Sequence, residues 1–571
     1  MSSTRLVLAV VLAPALAVAQ PTDPVGVPPS PLPPPVAETM DEARVREIVD
    51  REVARILAER GAKEAAEKAA KEAQEKEAAA NADASNDISG ANGFMDTRLA
   101  FTITNENILA KPGETIPSVP GWRFGAPNSL GVLFFDNYDT RFSGFETLSH
   151  AVMYRNYTRG HLQAEGAFLL RINELSENVI SLSDAGSYIQ ISNWKDPTHK
   201  DPTRISFLAF PVSADRFRLG YSYRLTWGGN PEYSRARSST PGAKIQYDFK
   251  GGYVFVGGKS GILVDPNDGE QKSSLAGLAG GGIDIGDIAR FEVNGGYFDR
   301  GYNELQDVQS EKVQLFGASA QLSFFKGTTP RNSIDLRLYK YNNERVTDLF
   351  RPESYPGGVS WLAQTEFTVL GQTLKDPENV GSTRVQVGKA GDLNVRVKIN
   401  RVRLRLDLSY RDLAFILHSQ PSLPPYSDFP DVYEISPNYF AAVGADRNWG
   451  DWLTLGLVAG VEKPATLTSP AGIAGTNATG VSTAVIRNNN IATIISVLPT
   501  GEEAVPQVAV KGSAKIDFAK MFTALVEVFY SYDGNQSTYG RVCDDPDTCP
   551  LGYRFGEFNQ LGVNSTLQAR F

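Results

Sequence analysis

The chain of 571 residues has only two cysteines, four histidines and five methionines, and no run of about 18 apolar residues. Two cysteines cannot staple a fold of this length, and Cys543 and Cys549 are too far apart for a CxxC redox site. The histidines, His150, His161, His199 and His418, are scattered and make no metal-ligand cluster. His418 and Ser419 are neighbours, but adjacent strand positions point to opposite faces, which parts a nucleophile from its base. No phosphate-cradling glycine loop is present. These absences together read as a non-enzyme with no cofactor. Without a long apolar run there is no transmembrane helix. The net charge of −9 offers no basic footprint for nucleic acid.

The N-terminal part falls into four zones. Arg5 precedes an apolar run over 6–19, the length of a signal-peptide core, and Ala17-Val18-Ala19 has the small-x-small form of a cleavage site. Residues 1–19 are therefore expected to be a signal peptide. Prolines from Pro21 to Pro35 predict an extended spacer over 20–40. Over 41–80 the composition turns to Ala, Glu, Lys and Arg, the pattern of a long helix, with Val45, Val49, Val53 and Ile56 as an apolar stripe. Two readings stay open there: a solvated single helix, or a short coiled coil that carries a homo-oligomer or a periplasmic partner. Residues 81–92 read as a polar linker.

From 93 to 571 the pattern changes to β-strands. Charged residues make up 21% of the chain, which a membrane wall tolerates only if half of it faces water. In 402–411, Val402, Leu404, Leu406, Leu408 and Tyr410 alternate with Arg403, Arg405, Asp407, Ser409 and Arg411. A one-residue slip would turn those arginines into lipid at about 2–4 kcal/mol each near the midplane. Strand 393–399 repeats the pattern with Asn394, Arg396 and Lys398 inside. A strand is also expected over 216–227, with Phe217, Leu219, Tyr221, Tyr223, Leu225 and Trp227 outward and Arg216, Arg218 and Arg224 inward. Strand 507–517 adds Lys511 and Lys515, and acidic partners appear in Glu165, Asp335, Asp517 and Glu527. The pore-lining candidates are thus Arg216, Arg218, Arg224, Arg396, Lys398, Arg403, Arg405 and Lys511. Such a row either stiffens a wall through ion pairs or concentrates anions.

Tight turns are expected at 212–214, 285–287, 400–401, 448–450 and 519–520. Long connections are expected at 105–146, 173–203, 342–382, 412–436, 464–506 and 533–557. Starting with 95–104 and keeping every tight turn on one side gives about 18 antiparallel strands, with 16–20 allowed by weak stretches such as 242–249 and 252–258. A hairpin inside a loop is expected over 481–498. Trp122, Phe124 and the apolar run 130–135 read either as a plug or as an extra strand.

The last stretch, 558–571, puts Leu561, Val563, Leu567, Ala569 and Phe571 on one face and Gln560, Asn564, Thr566, Gln568 and Arg570 on the other. A terminal Phe571 closing such a strand resembles the sorting signal of bacterial outer-membrane β-barrels, with Ala569 where many barrels place a tyrosine. The resemblance, at the level of the class, implies an all-β transmembrane barrel of porin type in the cell outer membrane. It implies lipid and the barrel-assembly machinery as partners, the latter through the last strand, and an N-terminal segment in the periplasm. The expected function is passive diffusion of small hydrophilic, anion-favoured solutes. In that oxidising compartment Cys543 and Cys549 are expected to form a disulfide. The intervening Asp544, Asp545 and Asp547 fall short of a twelve-residue calcium loop. Nothing resembles the barrel phospholipases or omptin proteases. The rival readings are a non-conducting component of a secretion, polysaccharide-export or surface-motility assembly, and an adhesin or receptor using its long loops.

Overall fold

The computed structural model describes residues 93–104, 123–125, 150–175, 180–214, 217–229, 239–326, 358–419, 426–541 and 551–570, apart from short breaks inside these ranges, together with Arg51. The chain divides into two compact units, Met1–Lys76 and Glu77–Phe571. Apart from Arg51, which is helical, the expected signal peptide, spacer, helix and linker over 1–92 lie outside the described residues. So do Arg216, Asp335, Cys543, Cys549, Phe571, Trp122 and the run 130–135.

The second unit is built almost entirely of antiparallel strands. The wall begins with β1 (Gly93–Thr104), β2 (His150–Arg159), β3 (Leu162–Leu175), β4 (Tyr188–Trp194), β5 (Arg204–Phe210) and β6 (Gly242–Phe249). It continues through β7 (Gly252–Val264), β8 (Gln271–Ile285), β9 (Ala289–Tyr302), β10 (Lys312–Lys326), β11 (Val359–Lys375) and β12 (Thr383–Ile399). It ends with β13 (Val402–Arg411), β14 (Asn438–Trp449), β15 (Leu453–Lys463), β16 (Gln507–Asp517), β17 (Phe522–Tyr532) and β18 (Asn559–Arg570). Each strand pairs with the next, and β1 pairs with β2 on one side and β18 on the other. Two of the sheet's 20 strands, Arg123–Gly125 and Ile180–Asp184, stand outside this circuit, leaving a hydrogen-bonded ring of 18.

Alternation decides what each face carries. On β10, Ser319, Gln321 and Ser323 are 1%, 4% and 0% exposed, whereas Phe316 and Phe324 on the other face are 39% and 43% exposed. The same inversion runs along β13, where Leu404, Leu408 and Tyr410 are exposed and Ser409 and Arg411 are buried. A water-soluble protein hides its apolar groups; this wall hides its polar ones.

The short connections lie at the end where β1 begins: 160–161, 250–251, 286–288, 400–401, 450–452 and 518–521, with longer ones at 195–203 and 327–358. Gly160, Gly251, Gly286, Asn400 and Gly450 take positive φ there, which glycine does at no steric cost and asparagine tolerates. Most connections at the opposite end are longer.

Several expectations need correction. Residues 216–227 are not a wall strand, and 212–214 is not a wall turn, because this stretch leaves β5 and folds inside the ring. Its Phe217, Leu219, Tyr221, Leu225 and Trp227 are buried rather than turned outward. The period of two is the same in both settings, so only the partners distinguish them. The expected loop 173–203 contains β4, and 342–382 contains β11. The turn placed at 448–450 lies at 450–452. The stretches 242–249 and 252–258 are wall, in β6 and β7, and the hairpin over 481–498 forms from Ser482–Asn488 and Thr493–Val497. Phe124 belongs to the short strand 123–125, which extends the wall beside β1 at Ala100, Phe101 and Thr102.

Three of the long connections build a second core. Asp412 Oδ1 accepts from Phe415 N (2.7 Å) and Oδ2 from Lys389 N (2.8 Å), which starts helix α1 (Leu413–His418). Burial raises the pKa of Asp412. Phe415 sits over Gly388 of β12, where a Cβ would lie 2.4 Å from the Phe415 nitrogen. Leu413, Ile416 and Leu417 join Ala465, Leu467, Ala484, Ile486 and Val497, with Tyr426, Phe429 and Tyr553 packed against them. His418 is fully buried beneath, its Nε2 3.0 Å from Gln386 Oε1. Desolvation, and then the charge of Arg300, push its pKa down to about 3.

The folded imidazole thus resists a proton that the unfolded one takes near pH 6.5. Stability of this region is complete above that value and falls as the pH drops towards 3, by about 1.4 kcal/mol per unit. Amide protection over 413–418, corrected for the slowing of intrinsic exchange in acid, is expected to fall between pH 7 and pH 4 in the wild type and much less in His418→Gln. Equal protection at both pH values in the wild type would refute the assignment.

Candidate functional site

The segment between β5 and β6 crosses the ring. Leu219 and Trp227 exchange backbone hydrogen bonds of 3.0 Å in both directions, and the tip between them is a 3-10 turn at Tyr223–Leu225. Gly220 and Gly228 flank this hairpin at φ +85° and +76°. Neither has room for a side chain, since a Cβ would lie 2.7 Å from Leu225 O at Gly220 and 2.3 Å from the Phe298 ring at Gly228.

Three sets of wall residues hold it. At the base, Lys259 of β7, 3% exposed, donates to the carbonyls of Phe217 (3.2 Å), Ala214 (3.4 Å) and Gly228. In the middle, Asn294 of β9 accepts from Gly220 N at 2.9 Å, and Glu366 of β11 accepts from Tyr221 N at 2.9 Å and from Ser222 N. Ser222 Oγ donates to Asp392 of β12, and Trp227 Nε1 donates to Ser319 of β10 at 3.1 Å. At the tip, the Arg224 guanidinium lies 3.4 Å over the Phe440 ring of β14, with Nη1 3.9 Å from Glu462 Oε2 of β15. Glu462 also accepts from Asn438 Nδ2 at 2.7 Å. From β6 to β15 is half-way round the ring of 18. The segment therefore spans the interior from wall to wall. Its apolar side packs Phe217 on Phe210 and Phe255 (5.9 and 6.1 Å) and Trp227 on Phe298 (5.6 Å).

A second group is basic. Arg396 stands directly opposite Arg405, and Lys398 opposite Arg403, across β12 and β13. Like charges in register weaken a strand pair, and the wall carries them here as it does at Glu366 and Asp392, opposite each other across β11 and β12. Arg403 Nε donates to Asp446 Oδ2 at 2.8 Å, and Asn394 donates to Asp407. Four cations thus face these two carboxylates close to the 400–401 turn. Gly444 of β14 lies beside Arg405, and a Cβ there would come within 2.6 Å of Arg405 Nε, so the glycine makes room for the arginine stem.

The sequence candidates are thus placed as follows. Arg396, Lys398, Arg403 and Arg405 form one cluster. Arg224 comes from the in-folded segment rather than from a wall strand and meets the far wall, and Arg218 is half-buried on the same segment. Lys511 of β16 is buried and paired with Glu527 of β17 at 3.3 Å, in the register row that runs through Val458 and Gly444 to Arg405. Lys259, Asn294, Glu366, Asp392, Phe440 and Glu462 were not singled out by the sequence reading. Each is an inward position on an alternating strand, and nothing local says which loop it will hold. Glycines 220 and 228, interrupting an otherwise strand-like pattern, were the readable warning.

No family model matches the chain, and no curated protein matches it. Among solved structures, the chain is similar to OpdQ of Pseudomonas aeruginosa, with 8% identity, a TM-score of 0.39, and 84% of this chain and 98% of that one covered. It is also similar to OccK11 (OpdR) of Pseudomonas aeruginosa, with 7% identity, a TM-score of 0.38 and coverages of 84% and 96%. An anion-selective porin from Comamonas acidovorans shows 8% identity, a TM-score of 0.32 and coverages of 84% and 98%.

Glu366→Ala strips the acceptor from two buried backbone N–H groups, each worth about 1–3 kcal/mol when left unsatisfied. Limited proteolysis is expected to cut within 217–229 in this variant and to spare the wild type. Undiminished resistance would show that the clamp is not needed.

Proposed function

We propose that the chain is a barrel of the bacterial outer membrane that passes small hydrophilic solutes by diffusion and favours anions. The observation that supports this reading is the inverted wall: successive antiparallel strands, the last paired with the first, apolar outside and polar inside. Lipid leaves no water for an unpaired backbone group, so a strand structure suits it only when every edge is paired. Outward residues such as Val254, Val256 and Leu457, about half exposed, are a liability in water and a requirement in hydrocarbon.

The in-folded segment narrows the interior, and the Arg396, Lys398, Arg403 and Arg405 cluster lends the path positive potential. Low-dielectric walls focus such a field, and a fixed row of cations raises local anion concentration while lifting the barrier to cations. The mechanism is selective diffusion past fixed charges, with no covalent step. A second reading has one observation in its favour. The apolar core shared by the 412–437, 464–506 and 533–558 connections supports a barrel that is closed at rest and serves in a larger assembly.

Conductance of the purified protein in planar bilayers separates the two. Steady openings with an anion-favouring reversal potential under a salt gradient are expected. The double substitution Arg396→Gln and Arg405→Gln is expected to cut the anion preference roughly two- to fivefold. A barrel that inserts and stays silent would overturn the channel reading. Arg224→Ala, which releases the tip from Phe440 and Glu462, is expected to raise open-channel noise or conductance, and an unchanged trace would place the path away from the segment.

A further inference from the structure

We infer that a groove on the outer face of β1–β4 binds a membrane phospholipid, with an acyl chain in the groove and the phosphate against Arg155. The inference rests on the membrane reading above. The groove exists because β4 is short. Its ladder with β3 ends at Ala167 and Tyr188, and β3 takes up the separate strand 180–184 only from Leu170 onward. In the gap, Ser187 Oγ accepts from Leu169 N at 2.9 Å in place of a strand partner, and the outer surface is left hollow. The hollow encloses about 680 Å³, within the roughly 300–1,000 Å³ of ordinary ligand sites.

Its lining is apolar with one exception. Met95, Met153 and Phe168 stand in register across β1, β2 and β3, each close to half exposed, and Ile189 and Pro211 continue the rim. Arg155 is the only charged lining residue, and it makes no ion pair with any described residue. Its neighbours across the outer row are both glycine, Gly93 on β1 and Gly166 on β3, so no side chain screens it. It lies five residues before the 160–161 turn, about 16 Å along the strand, with exposed Tyr157 between. Aromatic rings mark the headgroup level, and the Arg155 side chain, one outward position further in, reaches that level by snorkelling along the wall. A guanidinium there takes phosphate oxygens in a bidentate pair, which a neutral or cationic group does not offer. An apolar trough ending at a lone cation matches an amphiphile whose tail is hydrocarbon and whose head is a phosphate.

The full-length protein would be inserted into vesicles of phosphatidylethanolamine and phosphatidylglycerol, extracted in mild detergent and examined by native mass spectrometry. The wild type is expected to keep a bound phospholipid. Arg155→Gln is expected to lose it roughly tenfold, with Arg155→Lys in between. Gly166→Leu fills the groove, since a Cβ there meets only Tyr188 O at 3.5 Å, and is expected to lose the lipid while conducting as before. Equal retention in all four proteins overturns the assignment, as does detergent retained in the lipid's place, or a dimer that buries the groove and carries no phospholipid. Resistance to carbonate extraction is read in parallel. Failure to insert sinks the membrane reading itself, whereas insertion without selective retention sinks only the groove.

Discussion

A strand wall can surround itself with hydrocarbon only if its backbone is fully paired, and the closure of β18 on β1 meets that condition. Much else follows from it. Closure by antiparallel pairs demands an even number of strands and puts the start of β1 and the end of β18 at the same end. The period of two then sorts the side chains onto an apolar outer face and a largely polar inner one. Charges that the outer face cannot carry are gathered inside, where they must be paired, hydrogen-bonded or held apart.

The in-folded segment shows how such an interior is organised. Its apolar side chains pack against Phe255 and Phe298, but its backbone arrives with donors and acceptors that the wall must meet. Lys259 meets the carbonyls, and Glu366 meets the amides. The carboxylate and the ammonium are on different strands, so one segment takes both signs of wall charge. The basic pairs of β12 and β13 are the contrasting case, where four cations gather beside two carboxylates and the strand pair bears the repulsion.

Much of the wall was legible from alternation alone. Strands 402–411 and 507–517 have the bounds the pattern gave them, and 93–104 starts two residues earlier, because a slip there would turn arginine or lysine onto the apolar outer face. Parity of the connections gave about 18 strands, but with 216–227 counted into the wall and the stretches of β4 and β11 read as loop, so the number agrees while its members differ. What the pattern could not convey was destination. The 216–227 stretch alternates as well as any wall strand, and the short β4, Tyr188–Trp194, lies among serines and turns that read as loop. Of the site, the cluster on β12 and β13 was readable because both halves are sequence neighbours across a tight turn. Glu366 and Glu462 were not, because the groups they hold on the in-folded segment lie 144 residues and more away in the chain, and no local rule links them.

That separation imposes an order on assembly. The in-folded segment is made before the strands that hold its tip, so Arg224 has no Phe440 or Glu462 to meet until β14 and β15 exist. The joint between β1 and β18, drawn from the two ends of the described wall, is the last that synthesis can supply. The segment must therefore be inside before that joint seals, or else enter afterwards from the long-connection end. The hairpin, compact and knitted by its own Leu219–Trp227 bonds, is able to travel as a finished piece and wait for its far anchor.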